Sequence, residues 1–109
     1  MSKRLQGKIA FVTGAGSGIG EATALRFAEE GATVVLCGRR VEPLQGVQEK
    51  ILGFGGQAEI AVADVSDEQA YVSALQATAQ RHGRLDILVN NAMAYTWGDI
   101  DKMTTADWH

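Results

Sequence analysis

Glycine occupies every second position from 14 to 20, as Gly14, Gly16, Gly18 and Gly20, directly after the apolar run at 9–12. Each glycine gives up more backbone freedom on folding than any other residue. Such a density therefore belongs where the chain turns tightly or where something must approach the main chain. An apolar run of strand length precedes the stretch and helical spacing follows it. In that setting a glycine-rich turn aims backbone N–H groups at an anion lying on the helix N-terminus, where the dipole favours negative charge. The simpler alternative is a tight connection with no ligand, and the surrounding chain decides between the two.

The surroundings repeat. Short apolar runs recur at 9–12, 33–37, 60–63 and 87–89. Without alternating polar positions they read as strands buried on both faces. Helical spacing fills the intervals. From Gly20 the set Ala24, Phe27, Ala28 and Gly31 follows one face and ends at a glycine suited to a left-handed cap. The second interval, 41–52, has Pro43 for a first turn and Gly53 for a stop, with Gly46 weakening its middle. In the third, Tyr71, Ala74, Leu75, Thr78 and Ala79 share a stripe. Asp67 and Glu68 stand near its start, Arg81 and His82 in its last turn, and Gly83 after it. The order β-α-β-α-β-α-β with right-handed crossovers predicts an α/β, Rossmann-type doubly wound parallel sheet of four strands in the order 3-2-1-4. Two helices should cover one face and one the other, in a single domain over 1–109. After Val89 a loop leads toward a further helix expected near Thr104 or Thr105.

With 109 residues the chain suits one domain. A net charge of -3, with adjacent basic pairs only at Lys3-Arg4 and Arg39-Arg40, argues against a nucleic-acid surface. No apolar stretch is long enough to span a membrane or to form a signal-peptide core. The single cysteine, Cys37, excludes an intrachain disulfide framework and fits a reducing, cytoplasmic setting.

TGAGSGIG at 13–20, with NNA at 90–92, resembles the short-chain dehydrogenase/reductase family of NAD(P)-dependent oxidoreductases. The family-type spacing is TGxxxGxG, formed by Thr13, Gly14, Gly18 and Gly20. The resemblance implies that Gly14, Gly18 and Gly20 are the dinucleotide glycines, and that the backbone at Ser17 and Ile19 approaches the phosphates. It further implies that Asp64 and Val65 hold the adenine, the carboxylate accepting from its amino group, and that Asn90, Asn91 and Ala92 border the cofactor ribose. Met93 departs from the pattern, standing where the family usually has glycine. A competing role for Asp64 is a helix cap, for which Ser66 and Asp67 also qualify.

The choice of dinucleotide falls at the end of the second strand, VVLCGRR, where an acid would bind the ribose hydroxyls of NAD and repel a 2′-phosphate. Gly38 holds that position, and Arg39 and Arg40 follow with donors suited to phosphate. NADP(H) is therefore expected over NAD(H), although Ser17 lies where many NADP-preferring relatives carry a second basic residue.

Hydride transfer to a carbonyl also requires a proton donor, which the family supplies from a Tyr-x-x-x-Lys pair with an upstream Ser and an Asn. Neither Tyr71 nor Tyr95 has lysine four residues on, so no catalytic residue is assigned. His82 reads as complementing a helix dipole, Cys37 as buried packing, and Asp99 and Asp101 as solvated loop carboxylates rather than a metal site. Trp97 and Met93 could flank a ligand or pack a core. The expectation is the N-terminal, cofactor-binding part of a short-chain oxidoreductase, inactive alone, with an alcohol or ketone substrate only in a full-length form. The alternative is a stand-alone nucleotide-binding or interaction module. An open fourth-strand edge would favour a homo-oligomer. A methyltransferase-like domain is disfavoured because the acid at the end of the second strand is missing.

Overall fold

In the computed structural model, residues 4–16 and 18–90 are described. They alternate strand and helix: β1 (Ile9–Thr13), α1 (Gly18–Glu29), β2 (Thr33–Gly38), α2 (Val41–Gly53), β3 (Gln57–Val62), α3 (Glu68–His82) and β4 (Ile87–Asn90). All strand pairs are parallel and the sheet order is β3-β2-β1-β4, the Rossmann-type order anticipated from the repeating pattern. The further helix expected near Thr104 lies outside the described residues.

Alternation along β1 and β2 divides the core in two, because successive side chains point to opposite faces. Ala10, Val12, Val34 and Leu36 meet α1 and α2 through Ala24, Ala28, Leu44, Val47 and Ile51. Ile9, Phe11, Val35 and Cys37 face the other way, with Tyr71, Ala74, Leu75 and Leu88 packed over them. Phe11 and Tyr71 meet with ring centroids 6.3 Å apart at 54°, a tilted aromatic contact. Two helices thus cover one face and α3 the other. On that face α1 presents alanines to the sheet and α2 presents Leu44, Val47 and Ile51.

The expectation of strands buried on both faces is right for β1 and β2 and wrong for β3 and β4. Every residue of β1 is buried, whereas β3 is exposed at both ends and half-buried between, and β4 is half-buried throughout. Sheet order supplies the reason: β3 and β4 are outermost among the described strands, and burial on both faces requires neighbours on both sides. β3 also begins at Gln57, three residues before the apolar run, because Thr33 to Gly38 of β2 offer pairing partners to its polar start.

Helix ends follow local chemistry. Asp67 caps α3, its carboxylate accepting from the Ala70 N–H at 3.2 Å, and Gly83 closes it at φ 76° in the left-handed region. Gly31 takes positive φ after α1. The stop of α2 comes later than expected: Gly53 is still helical, and Gly55 is the residue with positive φ.

Candidate functional site: the carboxyl edge of the sheet

Parallel register brings the carboxyl ends of the strands into one line, Thr13 beside both Cys37 and Asn90, and Gly38 beside Val62. Doubly wound sheets bind ligands along this edge, at the point where the chain reverses its direction of winding. Here that point falls between β1 and β4, with the glycine-rich turn rising from β1.

The four glycines do different work. Gly14 and Gly18 have φ of 61° and 58°, a region that L side chains avoid, so they shape the turn. Among the described residues, a Cβ on Gly18 would meet nothing within 4 Å. Gly20 is the opposite case. A Cβ there would stand 1.9 Å from the Gly14 carbonyl oxygen and 2.6 Å from its carbon, so the first turn of α1 lies directly on the end of β1. Gly16 faces α2, where a Cβ would be 2.8 Å from Pro43 Cβ. The first N–H groups of an α-helix have no intrahelical acceptor, and among the described residues nothing lies within 4 Å of where a Gly18 side chain would begin. Ile19, 76% exposed, adds an apolar surface beside the same opening. Ser17, Asn91 and Ala92, also expected in the site, lie outside the described residues, as do Met93, Trp97, Asp99 and Asp101.

Backbone hydrogen bonds tie the loops along this edge to β2. Ala15 N–H donates to the Cys37 carbonyl at 3.2 Å, and Ala63 N–H donates to the Gly38 carbonyl at 3.0 Å. The second bond places Asp64 beside the β2 end. The Asp64 Oδ1 accepts from the Ser66 hydroxyl at 2.7 Å and the Ser66 N–H at 2.9 Å, so both bonds fall on one oxygen. These two bonds, the hydroxyl first, hold the carboxyl below its usual range against a weaker effect of burial, with the Arg39 charge assisting. Asp64 is therefore an anion at neutral pH with Oδ2 able to accept. The cap of α3 belongs to Asp67. Val65 packs, half-buried, against the Phe11 side of the core.

Arg39 and Arg40 are exposed at the end of β2, and Arg40 precedes α2 without a side-chain cap bond. Asn90 ends β4 next to buried Thr13, whose hydroxyl lies 3.2 Å from the Val89 carbonyl and 3.1 Å from Asn90 Oδ1. This link fixes the Asn90 amide relative to the glycine turn, a role for Thr13 that the motif spacing did not reveal. Pro43 and Leu44 border Gly16 and Gly38, a proximity the sequence did not reveal, although the buried spacing Leu44, Val47, Ile51 was present in it.

Two of the residues set aside from chemistry fall among the described ones. Cys37 is buried, and burial pushes its thiol up to about 11. His82 does more than sit at a helix terminus, because its Nε2 lies 2.9 Å from Glu59 Oε2 on β3, where Arg81 also binds. Among the described residues no group of three or more His, Cys, Asp or Glu could hold a metal, and no helix is long and apolar enough to cross a membrane.

Comparison with known proteins places this geometry. The family model for short chain dehydrogenases matches residues 8–109. A 3-oxoacyl-[acyl-carrier-protein] reductase of Thermotoga maritima is 38% identical over 105 residues, 96% of this chain and 43% of that protein. A glucose 1-dehydrogenase of Gluconobacter oxydans is 49% identical over 90 residues, 82% of this chain and 34% of that protein. The crystal structure of a metagenomic short-chain oxidoreductase in complex with NADP superimposes with a TM-score of 0.81 at 42% identity, covering 87% of this chain and 43% of the other. The chain thus spans less than half the length of these relatives.

Proposed function

Given that the chain belongs to the short-chain dehydrogenase/reductase family, we propose that its carboxyl edge binds NADP(H) and that it is the cofactor-binding part of an oxidoreductase acting on an alcohol or carbonyl substrate. The observation that carries the reading is the division of labour among the glycines. Gly20 brings α1 against the end of β1, while Gly18, at positive φ, puts no side chain of its own at the helix start. That is a cradle fitted to a pyrophosphate, whose charge the helix N-terminus stabilises.

The chain's other residues fit the two ends of such a molecule. Asp64, ionised, would accept from the adenine amino group through Oδ2, with Val65 supporting the turn beneath. Arg39 and Arg40 would pair with a 2′-phosphate, and Gly38 places no carboxylate there to repel it. Asn90, oriented by Thr13, would border the ribose on the nicotinamide side together with Ala92, and Ser17 and Ile19 would bring their backbone to the phosphates. When bound, the nicotinamide supplies or accepts the hydride; the residues assigned here bind and orient it. The two curated relatives are a 3-oxoacyl reductase and a glucose dehydrogenase by name, so the matched half is read as serving what such enzymes share. A cytoplasmic homo-oligomer completes the proposal, supported by the unpaired cysteine and the half-buried outer strands.

Calorimetric titration with NADP+ and NAD+ tests this reading. NADP+ should bind more tightly, and Arg39→Ala should weaken it by about tenfold or more while changing NAD+ little, the loss expected for one charge-assisted contact. Tighter NAD+ binding would reverse the cofactor assignment, and no binding of either by folded protein would reject the site.

A further inference from the structure

Leu44, on the first turns of α2, borders the space that a side chain would need at two glycines of the carboxyl edge. It is 1% exposed, and its Cδ2 lies 3.2 Å from where a Cβ on Gly38 would stand and 3.8 Å from where one on Gly16 would stand. Its neighbour Pro43 closes on Gly16 from the same side, its Cβ 2.8 Å from where a Cβ on Gly16 would stand. Gly38 is in turn a junction. Arg39 follows it directly, and its carbonyl holds the Ala63 N–H, and through that strand end Asp64. One residue earlier, the Cys37 carbonyl holds Ala15 in the glycine turn. A displacement of the β2 end would therefore reach the arginines, the adenine-side carboxylate and the glycine turn together.

We propose that Leu44 is a positioning residue of the dinucleotide site, setting the height of Gly38 beneath the adenosine end of the cofactor and leaving no room for a side chain at position 38. The proposal rests on the dinucleotide reading above. Its physical basis is the caging of Leu44. A Cβ added at Gly38 needs a few tenths of an ångström from its neighbour, a distance that a loose side chain yields easily. Leu44 is enclosed by the core it shares with Val47, Ile51 and Leu36, and close-packed interiors transmit such a push rather than absorb it. The Gly38 backbone moves instead, carrying Arg39 and the Ala63 bond with it. The same contact bears on cofactor choice: an aspartate introduced at 38 would have to displace Leu44 before it could reach a ribose.

A mutant cycle on the full chain separates positioning from plain core packing. The probes are 2′,5′-ADP and 5′-AMP, which carry the adenosine end with and without the 2′-phosphate. Gly38→Ala should weaken 2′,5′-ADP about fivefold or more, and adding Leu44→Val should restore affinity to within about twofold of the natural chain, a coupling of the size found between residues in contact. A core role alone would lower the melting temperature of each variant and leave affinity unrescued. A double variant binding no better than Gly38→Ala, or a Gly38→Ala variant binding as the natural chain does, overturns the proposal. Should Gly38→Ala fail to fold, Leu44→Met provides the measurement: weaker 2′,5′-ADP binding with folding retained supports the assignment, and unchanged affinity overturns it. If the natural chain binds neither probe, the dinucleotide reading fails as well, whereas binding without coupling removes Leu44 alone.

Discussion

Replacing Gly20 by alanine should unsettle the whole turn, although alanine is the better helix former. On propensity alone Gly→Ala within a helix is favourable by about 1 kcal/mol. The contact opposes this. A Cβ at position 20 would lie 1.9 Å from the Gly14 carbonyl oxygen and 3.2 Å from Ala15 Cα. The atoms it meets are backbone, so no rotamer change relieves the overlap. The start of α1 must retreat by about 1 Å, in a close-packed interior that yields little, and Ala24 and Ala28 must leave their seats on the sheet with it. Overpacking of this kind costs about 1–3 kcal/mol and more where backbone must shift, so the net expectation is a loss of about 2 kcal/mol after the helix gain. For a domain near this size that is a fall in melting temperature of about 10 °C. Urea denaturation followed by circular dichroism, with Gly46→Ala as the paired control, measures it directly. Gly46 is also helical, but a Cβ there meets nothing within 4 Å. A Gly20→Ala chain as stable as the natural one would show that α1 is free to slide and would refute the cradle geometry.

Gly46→Ala itself should stabilise the chain by about 0.5–1 kcal/mol, visible as a raised urea midpoint with unchanged slope. Asp67→Ala removes the cap of α3 and should cost about 1 kcal/mol in the same assay, while Asp67→Asn or Asp67→Ser should lose much less. Asp86 accepts from the Arg84 guanidinium and from the Ile9 N–H, at 2.7 Å and 2.8 Å, and these bonds hold its pKa below the usual carboxylate range. Its stabilisation is complete at neutral pH and is lost as pH falls from about 4 through the depressed folded value. Asp86→Asn should accordingly flatten the acid limb of the stability profile, and an unchanged limb would contradict the linkage. Cys37, raised to about 11 and buried, should resist alkylation at neutral pH until the chain unfolds; rapid labelling under native conditions would show that β2 opens.

The element sequence was readable because each strand and helix announces itself by a different period, and the crossover rule then leaves few ways to wind them. What the period could not supply was each strand's place in the sheet. Ile60 and Val62 look as apolar as Val34 and Leu36, yet Val62 is 55% exposed and Val34 is fully buried, because burial depends on neighbours that are distant in sequence. The site divides along the same line. Gly14, Gly18 and Gly20 could be picked out locally, since missing side chains in a strand-to-helix turn leave a visible mark. Thr13 was visible only as a motif position, and Pro43 and Leu44 not at all as neighbours of the turn, because their parts are played against residues brought near only by the folded sheet: Thr13 against Asn90, Pro43 against Gly16 and Leu44 against Gly38.

The placement of the proposed site on β1 and β2 accords with this distribution of burial. A phosphate cradle must hold several amides in fixed directions, and their tolerance for movement is set by whatever lies underneath. Under the glycine turn and Gly38 lie the two strands with the most buried side chains, whose alternate faces anchor both halves of the core. The outer strands contribute differently: β3 leads to Asp64 and β4 ends in Asn90, each tied inward by a contact to a central strand, the Ala63 bond to Gly38 in one case and the Thr13 hydroxyl in the other. Weakening an outer strand should therefore loosen one end of the proposed dinucleotide site while leaving the glycine turn in place. A disturbance at Gly20 or Gly38 should reach all of it.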